Sequence, residues 1–123
     1  MRDVGAHWET AACAHLTRAG MKLVTRNFQC RFGEIDLVMR DTDSDGENCT
    51  VFVEVRFRRS GARGGGLASV GASKRAKLLS AAAAYLQANP RAAAQACRFD
   101  VVACRGTPQQ PQFEWIRNAF DAS

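Results

Sequence analysis

The sequence predicts a single-domain α/β protein with a mixed β-sheet flanked by helices. Three observations carry that prediction: an amphipathic stretch at the N-terminus, three successive strand-like runs ending near Phe57, and an alanine- and leucine-rich stretch followed by two further strand-like runs. Consecutive strands pair readily as hairpins, whereas a helix between strands permits a parallel crossover. The order α-β-β-β-α-β-β therefore implies a mixed sheet with helices packed on it. At 123 residues and 46% apolar content the chain has the size and composition of one ordinary folded domain.

Residues 3–19 read as the first helix: Val4, Trp8, Ala11, Ala12 and Leu16 form an apolar stripe, with Glu9 beside it, and Gly20 suits the helix end. Met21 to Phe32 is rich in strand formers with imperfect alternation and predicts the first strand. The second strand begins at Gly33-Glu34-Ile35-Asp36-Leu37-Val38, where alternation sets Ile35, Leu37 and Met39 on one face and Glu34, Asp36 and Val38 on the other. Asp41 to Asn48 is an acidic turn. Its opening, Asp41-Thr42-Asp43-Ser44-Asp45-Gly46, matches the start of a calcium-binding helix-loop-helix loop, but position twelve is Phe52 where a bidentate Glu is needed, and the flanks read as strands. A hairpin turn with Asp-Gly at its tip accounts for the same residues.

The third strand, around Val51-Phe52-Val53-Glu54-Val55-Arg56, places Val51, Val53, Val55 and Phe57 on one face and Glu54, Arg56 and Arg58 on the other. Residues 60–73 contain Gly61, Gly64, Gly65, Gly66 and Gly71 and predict a flexible basic loop. From Ser73, a suitable N-cap, to Asn89 the second helix presents Leu78, Leu79, Ala82, Tyr85 and Leu86 on an apolar face, and Asn89-Pro90 stops it. A short alanine-rich link leads to a strand over Arg98 to Cys104. After a turn with Pro108 and Pro111, Gln112 to Arg117 is a final strand and Asn118 to Ser123 a tail or short turn.

Charge is concentrated in one segment. Residues 56–77 hold Arg56, Arg58, Arg59, Arg63, Lys74, Arg75 and Lys77 with no acidic residue, more positive charge than the net +5 of the whole chain. The remainder is therefore slightly acidic, a distribution suited to a polyanionic partner. No apolar run approaches the roughly 20 residues that span a bilayer, so no membrane association is expected. Asp3, His7 and Glu9 stand where a signal peptide would need an apolar core, which makes the cytoplasm the expected compartment. The five cysteines, Cys13, Cys30, Cys49, Cys97 and Cys104, are scattered without metal-binding or redox spacing and read as reduced, packed thiols. His7 and His15 lack ligand spacing, and Trp8 falls on the helix stripe as a core residue.

Two strands each carry a carboxylate among apolar neighbours, where an unpartnered charge is costly. If the strands pair in the right hairpin register, Asp36, Glu54 and Arg56 converge. Two carboxylates and a cation at one point suit a divalent metal and a phosphate. The same residues admit a plainer account, a half-buried surface network in which Arg56 serves Asp36 and Arg58 pairs with Glu54.

The succession Gly-Glu-Ile-Asp-Leu-Val, Val-Phe-Val-Glu-Val-Arg-Phe-Arg, Lys74, Arg98-Phe99-Asp100-Val101-Val102 and Asn118-Ala119-Phe120 resembles the bacterial YraN-like family of small predicted endonucleases, over nearly the whole chain from Glu9 to Phe120. That family is distantly similar to archaeal Holliday-junction resolvases and to the PD-(D/E)xK nuclease fold. The resemblance implies a restriction-endonuclease-like core and Mg²⁺- or Mn²⁺-dependent hydrolysis of DNA, branched or damaged DNA included. It implies Asp36 and Glu54 as metal-binding acids and Glu9 as an additional helix glutamate, acting directly or through water. Asp100 matches a family position, though a bond to Arg98 or to a strand neighbour accounts for it structurally.

The chain departs from the family pattern at Arg56, where lysine is usual two residues after the second acid. Arginine keeps its proton in proteins; it can hold a phosphate oxygen but cannot act as a general base. Two outcomes stay open: cleavage if the lysine's role is electrostatic, or nucleic-acid binding without cleavage if it must manage a proton. An interaction scaffold without nucleic acid is a third. In the nuclease reading Arg58, Arg59, Arg63, Lys74, Arg75 and Lys77 grip the DNA backbone through sequence-independent phosphate contacts. A homodimer, usual for resolvases that cut two strands, is an expectation by analogy alone.

Overall fold

The computed structural model describes residues 3–57 and 71–120. Its elements are α1 (Asp3–Arg18), β1 (Lys22–Cys30), β2 (Gly33–Thr42), β3 (Asn48–Phe57), α2 (Ala72–Ala88), α3 (Pro90–Ala93), β4 (Ala96–Gly106) and β5 (Pro111–Phe120). The five strands form one sheet in the order β1-β2-β3-β4-β5. All neighbours are antiparallel except β3 and β4, which run parallel because α2 carries the chain back across the sheet between them.

Each face of the sheet is closed by a helix. On one side Trp8, Ala12 and Leu16 of α1 pack on Leu37, Met39, Val51, Val53, Val102 and Cys104. On the other, Leu78, Ala81, Ala82 and Tyr85 of α2 pack on Ile35, Val38, Phe52 and Phe99. The α/β class and the order of its main elements are those predicted. The stripe of α1 from Trp8 to Leu16, with Glu9 at its margin, and the apolar face of α2 are also as read from helical spacing, while the side chain of Val4 lies outside the described residues.

Several local expectations are corrected. Ile35 does not share a face with Leu37 and Met39; it packs with Val38 and Phe52 on the α2 side. Strict alternation fails at the Asp36 rung, where the facing β1 residue, Asn27, lies between the Arg26–Leu37 and Phe28–Ile35 pairs and takes a left-handed backbone (φ 53°). The first strand is shorter than Met21 to Phe32, with Met21 buried in the core and Arg31–Phe32 in the turn to β2. Ser73 is not the N-cap of α2: Gly71 is, without a side-chain hydrogen bond, so residues 71–73 belong to the helix start and not to a loop. The remaining loop residues, 60–70, lie outside the described residues. The link after Asn89 contains the single turn of α3, opened by Pro90.

Residues 118–120 extend β5, and the reason is Asp100. This buried carboxylate accepts from Arg98 Nε (2.9 Å) and Nη2 (3.2 Å), from the Trp115 indole N–H (2.9 Å) and from the backbone N–H of Asn118 (2.9 Å). Asn118 bends with φ 51° to make its bond, the register shifts between Phe99 and Val101, and Phe120 is returned to stack on Phe99 at 4.8 Å. Arg98 also bonds Asp41 Oδ2 at 3.0 Å, tying the end of β2 to β4.

The acidic turn is a hairpin turn: Asp43 Oδ1 accepts from the N–H groups of Asp45 and Glu47, both at 2.9 Å, and Gly46 has φ 83°. All five cysteines are free thiols. His15 stacks on Phe113 at 4.5 Å, Trp8 is buried, and no helix among the described residues is long and apolar enough to cross a membrane. Replacing Asp100 with Ala leaves a half-buried guanidinium, an indole N–H and a backbone N–H without their acceptor, and lowers stability by about 3–5 kcal/mol in urea unfolding, with the α1-side core retained.

Candidate functional site: a carboxylate pair where two strands part

β2 and β3 are hydrogen-bonded from Thr42–Asn48 to Leu37–Val53 and then diverge. Continued by one step, the same register sets Asp36 opposite Glu54. β3 runs on beside β4 through Glu54–Val101, Val55–Val102 and Arg56–Ala103, so its other edge loses a strand partner beyond Val53. Val55 N–H, thereby freed, donates to Asp36 Oδ2 at 2.9 Å. A side chain thus replaces the strand backbone as acceptor, and the carboxyl group is held in the fork.

Three acids meet around this point. Glu54 stands on the α2 side, near enough to Asp36 for the two carboxyls to hydrogen-bond when one is protonated. Glu9 reaches in from α1, within hydrogen-bonding reach of Asp36 and Asn27 and 3.7 Å from Arg26 Nη2. Among the described residues, no three acidic, His or Cys side chains form a ready-made cation cage. The geometry is therefore a pair, Asp36 and Glu54, with Glu9 beside it at the distance of an outer partner.

The electrostatics of the pair are unfavourable as they stand. Burial, then the charge of Glu54, pushes the Asp36 carboxyl up from 3.8 to about 7, against the opposing pull of Val55 N–H and Lys74. Burial likewise raises Glu54, with Lys74, Asp36 and Arg56 working against the rise. Glu9 is raised by burial and by Asp36, offset in part by Arg26 and Asn27. Glu54 Oε2 lies 3.5 Å from Lys74 Nζ, whereas Glu54 Oε1 is buried with no hydrogen-bond partner among the described residues. A buried carboxylate oxygen without a donor is costly, and a proton shared with Asp36 or a cation bound between the two acids would offset that cost.

The cations divide. Arg56 lies two residues beyond Glu54 on β3 and acts on its charge. Lys74 belongs to the site through Glu54. Arg75 points across the ring of Phe120 at 5.9 Å, and Lys77 lies against Gly33 on a groove of about 530 Å³ lined also by Glu34, Gly71, Ser73, Lys74 and Leu78. Arg58, Arg59 and Arg63, together with the proposed Arg58–Glu54 pair, lie outside the described residues. Sequence reasoning missed the Val55 N–H, the Asn27 contact and the direct Lys74–Glu54 pair. An Asn inside a strand, a residue tolerant of left-handed backbone, was the available signal for the second.

Fold and site together define a small α/β protein with a paired-carboxylate centre between a sheet fork and the N-terminal end of a helix. Residues 8–104 match the model of the uncharacterised protein family UPF0102. A UPF0102 protein of Ectopseudomonas mendocina (strain ymp) is 52% identical over 98% of this chain and 96% of its own length. One from Stutzerimonas stutzeri (strain A1501) is 48% identical over 96% and 94%, and one from Xanthomonas oryzae pv. oryzae (strain PXO99A) is 52% identical over 96% and 91%. The chain belongs to this family, the YraN-like one to which its motifs point.

Because the fold binds the Asp36 proton far more tightly than the unfolded chain does, ionisation removes stability as pH rises from about 4 to about 7 and the loss is complete above that range. Asp36→Asn, which stays neutral, should accordingly match the metal-free wild type near pH 4 and exceed it by on the order of 3 kcal/mol at pH 8 in chemical denaturation. Equal stability of the two proteins at pH 8 contradicts this electrostatic description.

Proposed function

We propose that this protein is a metal-dependent endonuclease-like hydrolase of phosphodiesters in DNA, branched or damaged DNA being the form its family resemblance favours. The observation that carries the reading is the buried Oε1 of Glu54, without a donor among the described residues, beside a second carboxyl that burial and like charge have destabilised. Two such acids on neighbouring strands suit Mg²⁺ or Mn²⁺, ions that bind through one or two carboxylates and complete their shell with water and phosphate oxygens. Asp36 and Glu54 would hold the ion, and Glu9 would orient water around it. When bound, such an ion polarises a phosphate and makes water a better nucleophile.

The chain's own residues set the rest. With all three acids ionised and one divalent ion bound, the cluster keeps a negative charge, so phosphate approaches only if a cation stands close. Arg56 meets that need from β3 and can hold a phosphate oxygen in two-point contact. Lys74 and Lys77 extend positive charge along the start of α2, and Arg58, Arg59 and Arg63 follow Arg56 in the chain. These contacts give salt-sensitive affinity without sequence readout. A second reading, nucleic-acid binding without hydrolysis, is favoured by one feature, the inability of Arg56 to release a proton.

Incubation with plasmid and four-way DNA in Mn²⁺ separates the two. The hydrolase reading expects cutting that chelation abolishes, that falls at least about 100-fold in Asp36→Ala and Glu54→Ala, and that Arg56→Lys preserves or raises. Salt-dependent binding with no cutting by wild type or Arg56→Lys selects the second reading. No binding to any DNA or RNA defeats both.

A further inference from the structure

Lys74 is held in a way that invites exchange. Its single contact with Glu54 is 3.5 Å long, and its side chain is 46% exposed while that of Glu54 is 11% exposed. The carboxylate is therefore fixed by the fold, whereas the ammonium is a half-solvated group on a flexible four-carbon stem. Lys74 satisfies only Oε2 and leaves Oε1 without a partner among the described residues. A divalent ion bound to Glu54 would carry twice the charge of the ammonium, and the two cations would repel at such a separation. The repulsion favours withdrawal of Lys74, whose half-exposed side chain has space to move into.

That place is the groove beside it. Lys74 already lines the space of about 530 Å³ between the β1–β2 turn and the first turns of α2. Gly33 brings the turn so close to the helix that a Cβ there would stand 3.3 Å from the Cβ of Lys77, at a backbone φ of +155°. Ser73 and Lys77 share the lining, and the Gly71 N-cap offers the helix's first N–H groups no side-chain acceptor. Glu34 is the groove's acidic residue, and it accepts a hydrogen bond from Gln29 at 3.4 Å. Two lysines, a hydroxyl and the N–H groups of the helix start are complementary to a phosphate of a nucleic-acid backbone.

We propose that Lys74 is an exchangeable occupant of the carboxylate centre: it neutralises Glu54 in the metal-free protein and, when a divalent ion binds the same carboxylate, is repelled from it and turns into the groove to hold a nucleic-acid phosphate. This rests on the metal-binding part of the reading above and is independent of whether hydrolysis follows. It makes metal and nucleic acid mutually reinforcing, since each favours the state that admits the other. It also gives Lys74 a task distinct from that of Arg56, which stays on its strand beside Glu54.

The test is Mn²⁺ affinity at pH 8, read by water-proton relaxation, for wild type, Lys74→Met and Lys74→Arg. Removing the competing cation should make Lys74→Met bind Mn²⁺ roughly 5-fold tighter, the scale of a half-exposed ion pair, while Lys74→Arg stays near wild type. The same proteins are then mixed with labelled duplex DNA and read by anisotropy within seconds across a salt series. Lys74→Met should lose about one unit of the log–log salt slope in Mn²⁺ and none in chelator. Unchanged or weaker Mn²⁺ binding by folded Lys74→Met overturns the exchange, as does an equal slope change with and without metal. If wild type binds no Mn²⁺, the exchange and the metal reading fall together. If the exchange is seen without DNA cutting, hydrolysis alone fails and the exchange stands.

Discussion

The hydrogen bond from Val55 N–H to Asp36 Oδ2 is the contact on which the site's geometry depends. It forms where β2 stops pairing with β3 while β3 continues beside β4, so a backbone donor that the sheet has left over is satisfied by a carboxylate. The consequence is positional. Asp36 is fixed on the rung facing Glu54, and α1, which must cover the same part of the sheet with Trp8, delivers Glu9 to its other side. The whole arrangement follows from one strand outlasting its neighbour.

The buried acids of this protein show how burial can serve opposite ends. Asp100 is more deeply buried than either Asp36 or Glu54, yet four donors converge on its two oxygens, and its work is to bend β5 and join β4 to the end of β2 through Arg98. Asp36 has one backbone donor and an acidic neighbour, and Glu54 keeps an oxygen with none. A fold selected only for stability would give this pair the donor count of Asp100. Among the described residues the shortfall lies at the fork where β2 and β3 part, the place at which the proposed function puts a divalent ion.

Much of this was legible in the sequence because the period-2 and period-3.6 patterns of β3, α1 and α2 are strong and the elements come in an order that few sheets satisfy. The pairing of Asp36 with Glu54 was legible only as a condition, that the two strands meet in the right hairpin register, since alternation places the carboxylates on their strands but does not set the register between them. What failed were the places where the backbone leaves the regular pleat. Asn27 and Asn118, both at positive φ inside strands, mark where Ile35 leaves the alternation for the α2 side and where β5 runs three residues past its expected end, and alternation rules have no means of anticipating either. Lys74 escaped notice as a partner of Glu54 because twenty residues of chain separate them; only the parallel crossover brings the start of α2 over that rung.

The central claim is that Asp36 and Glu54 share one divalent ion. Its most direct test is anomalous diffraction from crystals of the wild-type protein grown with Mn²⁺. The account predicts a single strong peak at the fork, about 2.1 Å from an oxygen of each carboxylate, with Lys74 Nζ withdrawn from Glu54. A fork without a peak at saturating Mn²⁺, or an ion bound elsewhere while Lys74 still bridges to Glu54, would contradict it.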